Sequence, residues 1–319
     1  MPRWKVWAHL VRLPTVFTII ADVSAAFLFT VTNIEPLGRF ILIVCSGICL
    51  YWAGMILNDV FDAEIDREQR AKRPIPSGWI SQREASTGGW SLLCLGVGLA
   101  FLSGFFPSPN LPSTSLPGFL SVALAFMIVA YNGPLKSSVF APLAMGSCRF
   151  LSFLLGASPC LALAVSESKP LGGLIPSETV VIAIGFGIYI MGITLMARRE
   201  ATGGNRQPLV VGGLITALGA FCLAMAPRAT GGLLSPKMDV EMVFPILIGM
   251  IVLPVLVRAV GAMREPSPKR IQMTIKAGVL TIIPLSAAVA TLGAGPKWGC
   301  VIFALVAPSL WLSSRFRVT

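Results

Sequence analysis

Long apolar runs dominate the chain, and they constrain its fold more than any other feature of the sequence. A helix needs roughly 17 to 25 apolar residues to cross the hydrocarbon core of a bilayer. Because backbone inside lipid must satisfy its own hydrogen bonds, such runs predict an all-α, polytopic membrane helical bundle of nine or ten transmembrane helices. The runs are 14–33, 39–57, 89–106, 116–131, 139–165, 177–197, 208–226, 243–260, 274–293 and 298–314.

The composition agrees with a membrane-embedded chain. Of its 319 residues, 55% are hydrophobic and only 12% are charged, whereas roughly 25% are charged in an average soluble domain. Most connections between the runs are short, which leaves no room for a second globular domain. We therefore expect a single transmembrane domain over 1–319, with cytoplasmic cap loops at about 58–88, 132–138, 197–207 and 261–275.

The net charge of +11 is explained by membrane topology rather than by a nucleic-acid partner. With the N-terminus inside and ten spans, nineteen of the 25 Lys and Arg residues lie on one side and five on the other, while Arg149 lies within a span. The positive-inside rule makes the richer side cytoplasmic. We expect a multi-pass protein of a bacterial inner membrane, in contact with membrane lipids through its basic residues, with the active site on the cytoplasmic side.

An acidic segment follows the second run. Asn58, Asp62 and Asp66 recur at i, i+4 and i+8 of a continuing helix, and Asp59 adjoins them, so all four oxygen-bearing side chains can approach one flank. Oxygen ligands of this kind select a hard cation such as Mg²⁺. The alternative is a solvated loop whose acids and bases only pair with one another.

Basic residues come directly after the acids. Arg67, Arg70, Lys72 and Arg73 precede the turn P74-I-P-S-G78. Arginine offers paired donors to phosphate oxygens, and lysine offers a point charge. Carboxylates, a hard metal and guanidinium groups together predict a polyphosphate-binding site.

These segments resemble a known family. N58-D-V-F-D-A-E-I-D66 followed by R73-P-I-P-S-G78 resembles the first signature of the UbiA superfamily of intramembrane prenyltransferases, and Y131-N-G-P-L-K136 resembles the turn before its fifth helix. The residues around the motifs, such as R12-L-P-T-V-F, look most like those of the EboC-like branch. The family has nine helices, so the run at 298–314 is the disputed one.

The resemblance implies a Mg²⁺-dependent prenyltransferase. It would transfer a polyprenyl-type group from a prenyl diphosphate to a small acceptor, with aromatic compounds among the candidates. Asp59, Asp62 and Asp66 would be catalytic and, with Asn58, would hold the metal. The diphosphate contacts implied are Asn58, Arg67, Arg73, Lys136, Arg198 and Arg199.

Further residues are candidates for an interior pocket. Asp22 and Arg149 are ionisable residues inside spans, where charge is expensive and faces the bundle interior. We expect them to pair with each other or to line the acceptor pocket. Tyr51, Tyr131 and Tyr189 could attract an allylic cation through their rings, or they could simply pack in the interior.

One departure from the family pattern concerns the segment after the sixth run. The family carries a second Asp-rich motif there, whereas this chain reads M196-A-R-R-E-A201. Arg198 and Arg199 could replace a metal ion as cationic clamps on the diphosphate, or they could be a positive-inside anchor pair. A third possibility is a non-catalytic UbiA-like protein that binds or translocates a lipid or a small metabolite.

Overall fold

The computed structural model describes residues 2–109, 111–161, 170–171, 175–198, 206–229 and 240–315. Helix is the prevailing structure, because a helix in apolar surroundings satisfies its backbone N–H and C=O groups internally. Two strands within these ranges, β1 (Pro170–Leu171) and β2 (Ile175–Pro176), form a short antiparallel hairpin.

The N-terminal half of the bundle begins with a short helix that precedes the first span. A 3₁₀ turn at Leu13–Val16 leads into that span. The helices of this half are α1 (Arg3–Leu10), α2 (Phe17–Val31), α3 (Leu37–Phe61), α4 (Ala63–Gln69), α5 (Gln82–Phe105), α6 (Leu116–Asn132) and α7 (Ala141–Ala157).

The C-terminal half contains continuous spans together with spans that are each made of two consecutive helices. α11 continues through two internal prolines, Pro245 and Pro254. The helices of this half are α8 (Ser177–Ala197), α9 (Gln207–Ala224), α10 (Ala226–Ala229), α11 (Val240–Arg264), α12 (Pro268–Leu280), α13 (Ile282–Ala294), α14 (Pro296–Phe303) and α15 (Val306–Arg315).

The predicted all-α polytopic bundle is confirmed. Within the described ranges, nine helical stretches are long and apolar enough to cross a membrane, and α6, with 17 residues, is a shorter apolar helix. The disputed run at 298–314 is the helix pair α14 and α15, which folds back along the bundle. The Ser309 hydroxyl donates to the Pro14 carbonyl at 2.9 Å, so this pair returns to the end of the bundle at which α2 begins.

Helices that adjoin in sequence also pack in space, and α2 packs on α13, which joins the two halves of the bundle. The close packing of α8 against α9 depends on small residues. A Cβ at Gly192 would lie 2.5 Å from the Gly212 carbonyl oxygen, and one at Gly212 would lie 2.8 Å from the Gly192 oxygen. Close backbone approach at glycine is a common means of holding helices together where lipid removes the hydrophobic driving force.

Two of the expected cap loops are shorter than the sequence suggested. The segment 58–88 contains α4, and α5 begins at Gln82; the segment 261–275 is mostly helix, interrupted only between Arg264 and Pro268. The extension has a local cause, because the Ser81 and Ser267 hydroxyls accept the backbone N–H groups of residues three positions later and so cap α5 and α12.

Candidate active site

The acidic segment lies where α3 leaves the bundle. α3 ends at Phe61 and α4 begins at Ala63, with Asp62 between them. Helical hydrogen bonding continues through this junction, because the Asp62 N–H donates to the Asn58 carbonyl at 3.1 Å and the Asp66 N–H donates to the Asp62 carbonyl at 2.8 Å. The side chains at i, i+4 and i+8 therefore remain on one flank.

Arg73 joins two of the aspartates. Its Nη1 atom lies 3.2 Å from Asp59 Oδ1 and 2.6 Å from Asp66 Oδ2. The three side chains are 16%, 10% and 6% exposed, in that order. A shared guanidinium in such a partly dry setting offsets the repulsion between the carboxylates and part of the cost of removing them from water.

A compact turn holds Arg73 in place. The Ser77 N–H donates to the Arg73 carbonyl at 3.0 Å, and Gly78 has a φ of +73°, a conformation that favours glycine. Ile75 and Ile80 on this turn are buried in a small apolar cluster with Ala63 of α4. The turn is thus fixed by packing at the same place where its arginine meets the acids.

Lys136 joins the other two polar residues of the acidic segment. Its Nζ lies 2.6 Å from Asn58 Oδ1 and forms a close ion pair with Asp62 Oδ2. The Asn132 side-chain amide donates to the Gly54 carbonyl at 3.1 Å and fastens the end of α6 against α3. This places the turn after α6 directly over the end of α3.

The four side chains therefore form two pairs, each around one side-chain cation. We call Asn58, Asp59, Asp62 and Asp66 together with Arg73 and Lys136 the charged cluster, and the end of the bundle that carries it the cluster face. The donors are oxygens, which suits Mg²⁺. The described residues contain no group of three His, Cys, Asp or Glu side chains that could hold a metal ion as they stand; a divalent cation would have to displace a side-chain cation or bind beside it.

Arg12 is a third cation at the cluster. Its Nη2 atom lies 3.7 Å from Asp59 Oδ1, and its backbone has a φ of +48°, which is uncommon for a residue with a side chain. The Thr15 hydroxyl donates to the Arg12 carbonyl at 2.8 Å and lies 2.5 Å from the Tyr51 hydroxyl. Because Thr15 has one hydroxyl hydrogen, Tyr51 donates to it, and the ring of Tyr51 helps to fix the Arg12 backbone.

Arg198 is placed beside the Lys136 turn. It follows the end of α8, and its Nη2 atom donates to the Ser138 carbonyl at 2.5 Å. Tyr131 lies near the end of α6, five residues before Lys136. Arg199, the other predicted clamp, lies outside the described residues.

Two predicted residues are placed away from the cluster. Arg67 is exposed and donates to the Gln82 side chain at 3.4 Å, beside the start of α5. Tyr189 is fully buried in the largest apolar cluster, and its hydroxyl donates to the Gly278 carbonyl at 3.0 Å. The structure thus commits Tyr189 to packing between α8 and α12.

Asp22 and Arg149 pair inside the bundle, which is one of the two arrangements that the sequence suggested. Arg149 Nη1 and the Ser152 hydroxyl donate to Asp22 Oδ2 at 2.9 and 3.0 Å. Asp22 Oδ1 is buried without a hydrogen-bond partner among the described residues. The pair joins α2 to α7 within the bundle.

The sequence over residues 17–272 matches the family model described as the UbiA prenyltransferase family. This match covers well over half of the chain. The chain belongs to the UbiA prenyltransferase family. With its apolar helices, this membership makes it a multi-pass integral membrane protein.

A curated relative matches over part of this UbiA family chain. Chloroplastic chlorophyll synthase from Oryza sativa subsp. japonica is 27% identical over 208 residues, which cover 64% of this chain and 52% of the relative. The match thus spans about half the length of that relative.

Solved structures share the fold of this UbiA family member over nearly its whole length. One, from a study of digeranylgeranylglyceryl phosphate synthase in membranes, has a TM-score of 0.62 at 18% identity and covers 92% of this chain and 99% of its own. Another, a UbiA homologue from Archaeoglobus fulgidus bound to DMAPP and Mg²⁺, has a TM-score of 0.59 at 14% identity, with coverages of 93% and 99%. At these identities the likeness shows the fold.

Arg12 is the charged residue that reasoning from the sequence did not select. It belongs to R12-L-P-T-V-F, a segment whose residues resemble those of the UbiA superfamily. This resemblance was the one feature of the sequence that could have pointed to Arg12. Its contact with Asp59 depends on how α1 and the 3₁₀ turn fold back over the end of α3. The linear spacing of the motif carries no information about that contact.

Proposed function

We propose that the protein is a membrane prenyltransferase that transfers a polyprenyl-type group from its diphosphate to a small acceptor. The observation that carries the proposal is the charged cluster itself, in which Arg73 and Lys136 each bridge two oxygen-bearing side chains at one end of an apolar bundle. A prenyl diphosphate likewise combines a strongly charged head with an apolar tail, so its head would match the charged cluster and its tail the apolar bundle. The residues around the motifs support membership of the protein in the EboC-like branch of the family.

The balance of charge favours an anionic ligand. Three carboxylates lie on the acidic segment, and the cations Arg12, Arg73, Lys136 and Arg198 surround them or adjoin the Lys136 turn. Guanidinium and ammonium groups that already point at carboxylate oxygens can turn to phosphate oxygens at little cost, because the two oxygens accept hydrogen bonds of the same kind. Cations would thus remain for the diphosphate when a metal takes over the acids.

Mg²⁺ is the cofactor that fits the donor set. Asn58, Asp59, Asp62 and Asp66 would hold it, since all four offer only oxygen towards a cation. When bound, the ion would act as a Lewis acid that stabilises the negative charge developing on the departing pyrophosphate. The Archaeoglobus fulgidus homologue that binds DMAPP together with Mg²⁺ supports this assignment.

In the proposed reaction, the bond between C1 of the prenyl group and the diphosphate oxygen breaks, and the bonding electrons leave with pyrophosphate. C1 then bonds to a nucleophilic atom of the acceptor, which loses a proton. Arg73, Lys136, Arg12 and Arg198 bind the leaving group. Tyr51, which is hydrogen-bonded to Thr15 beside Arg12, and Tyr131, near the end of α6, would attract the allylic cation through their rings by roughly 0.5 to 2 kcal/mol each. The apolar bundle holds the tail and excludes water that would otherwise quench the cation.

The direct test measures pyrophosphate release. Purified full-length protein is given radiolabelled geranylgeranyl diphosphate, Mg²⁺ and an extract of candidate acceptors. We expect Mg²⁺-dependent release that is lost in Asp62→Ala. Glu68→Gln is the matched control, because Glu68 is an exposed acid on the same short helix, α4. Release that is equal in the two variants would contradict the proposal.

The same experiment distinguishes a second function, a non-catalytic protein that binds or translocates a lipid or small metabolite. The replacement of the second Asp-rich motif by Arg198, Arg199 and Glu200 favours this alternative, because the segment then contributes positive charge and few metal ligands. Saturable binding of the labelled diphosphate without release of pyrophosphate, in every extract tried, would support it.

We also propose that the whole of 1–319 forms one UbiA-like unit in a bacterial inner membrane, with the cluster face towards the cytoplasm. The charge asymmetry of the connections supports this orientation. A cysteine-free background carrying Glu68→Cys should react with an impermeant thiol reagent only after the cells are opened. Glu35→Cys, exposed in the connection between α2 and α3, should react in intact cells, and the reverse pattern would refute the orientation.

A further inference from the structure

A basic cleft lies apart from the charged cluster, between α11 and α12. Its volume is about 320 Å³. Arg258 and Arg270 supply the charge, and the remaining lining is small or apolar: Gly261, Ala262, Met273 and Thr274. The cleft therefore combines two guanidinium groups with an otherwise weakly polar wall.

Arg258 is placed unusually for a positive charge. It lies six residues before the end of α11, which corresponds to about 9 Å along the helix axis. Its neighbours Val257 and Leu253 are 61% and 58% exposed, on a surface that faces lipid in a membrane. The Arg258 side chain makes no hydrogen bond or ion pair with the described residues. A guanidinium group at this depth requires either a bound anion or a side-chain conformation that extends to the membrane–water interface.

Arg270 is held at the mouth of the cleft. Its Nη2 atom lies 2.6 Å from Glu265 Oε2, and its Nη1 atom donates to the Gly261 carbonyl at 3.4 Å. Glu265 is the one acid between residues 258 and 276, a stretch with five Lys or Arg residues. The local excess of positive charge therefore persists after this pairing.

The cleft opens at the cluster face. The Arg206 side chain, at the start of α9, donates to the carbonyl of Arg264, the last residue of α11. Only seven residues separate Arg206 from Arg198 in the sequence, and Arg198 contacts the Lys136 turn. The cleft and the charged cluster thus share one membrane interface.

We propose that this cleft binds the phosphate head of an anionic phospholipid. The phosphate lies between Arg258 and Arg270, and an acyl chain runs along Val257 and Leu253 on the lipid-facing side of α11. The depth of Arg258 within the span selects a phosphate attached to a lipid over one free in water. The uncompensated positive charge selects an anionic head over a zwitterionic one, because the latter brings its own cation.

The test measures lipid binding by the full-length protein in mild detergent. Native mass spectrometry and the melting temperature are followed during titration with phosphatidylglycerol, phosphatidylcholine and inorganic phosphate. We expect phosphatidylglycerol to bind and raise the melting temperature at concentrations where the other two have little effect. Arg258→Gln should weaken this binding about fivefold, the equivalent of the roughly 1 kcal/mol that one basic residue contributes near an anionic surface.

Two further variants make the outcome decisive. Lys276→Gln removes an exposed charge outside the cleft from α12, the helix that carries Arg270, and should bind as the unmodified protein does. Arg258→Lys keeps the charge and should retain most of the binding. Equal binding of the two lipids, unchanged binding by Arg258→Gln, or competition by inorganic phosphate at matched concentration would each overturn the proposal. Since none of these residues belongs to the charged cluster, the result is independent of the proposed enzyme activity.

Discussion

The segments that follow α3 and α8 reach the same end of the bundle with opposite chemistry. The first supplies three aspartates and an asparagine, each already facing Arg73 or Lys136. The second supplies Arg198, which contacts the turn that carries Lys136. The first segment can therefore bind a cation, while the Arg198 of the second can bind an anion. A diphosphate site here would therefore be asymmetric, with a metal on one side and arginine on the other.

The largest expected effect concerns the acidic side of this comparison. In Arg73→Met, two buried carboxylates, those of Asp59 and Asp66, lose the cation that they share. Removing one partner of a buried ion pair costs about 3 to 5 kcal/mol. We expect a correspondingly large fall in the melting temperature of the purified protein in detergent.

The control for this change is Arg67→Met, which removes an exposed arginine from the same charged segment. It should alter the free energy of unfolding by less than about 0.5 kcal/mol. Equal effects of the two variants would mean that the cluster is a solvated surface rather than a built site. Adding Mg²⁺ should worsen neither variant, and in Arg73→Met it should restore part of the stability by replacing the missing positive charge.

The ion pair between Asp22 and Arg149, which belongs to neither segment, provides a reference for the cost of breaking a buried pair in this bundle. Asp22→Asn and Arg149→Gln should each cost about 3 kcal/mol of stability and impair function, although the charged cluster is left intact. The double variant should cost less than the sum of the two, since each single change leaves a charge buried alone. A double-mutant cycle on the melting temperature measures this coupling. Full activity in both single variants would exclude a role for the pair.

A smaller effect is expected on the arginine side. Arg198→Gln removes one charge-assisted contact to the diphosphate, worth about 1.5 kcal/mol, which corresponds to roughly a tenfold rise in KM for the prenyl diphosphate. Arg206→Gln, at the start of α9, is the control and should leave KM unchanged. If Arg198 merely anchors the topology, both variants should have the KM of the unmodified protein.

The smallest expected effect concerns the support of Arg12, the cation that contacts Asp59 on the acidic side. Tyr51→Phe loses the hydrogen bond to Thr15 that supports the Arg12 backbone, at a cost of about 1 kcal/mol. Thr15→Val removes the same bond, so the double variant should be no less stable than the worse single one. Additive losses in thermal unfolding would show that the two hydroxyls act independently.

Much of the fold could be predicted from the sequence. The apolar runs correspond in order to the helical stretches, and the spacing from Asn58 to Asp66 located the candidate site. Helix ends were harder to predict from the sequence. Ser81 and Ser267 cap α5 and α12, so these helices begin earlier than the start of the apolar runs suggests. Helix α4 was missed as a separate element because the break at Asp62 lies within an otherwise unbroken helical pattern.

Individual side chains were harder to place. Arg39 stands at the start of an apolar run, and no motif marks it, yet it is 1% exposed and donates to the carbonyls of Phe106, Pro112 and Pro159. Tyr189 looks like a candidate for the pocket, yet its hydroxyl is bound to the Gly278 carbonyl. In both cases the partner is a backbone carbonyl, which every residue has and which no sequence pattern can identify.

The sequence by itself determined that the protein lies in a lipid bilayer, the order of its helices and the segment that carries its clustered acidic side chains. These properties are local, because hydrophobicity and helical spacing depend on residues close together in the chain. Only the tertiary structure decided which cation meets which carboxylate. Lys136 and Asp62 are 74 residues apart, Arg149 and Asp22 are 127 apart, and Arg198 and Ser138 are 60 apart. Such contacts depend on which helix ends meet, and that is fixed by the packing of the whole bundle.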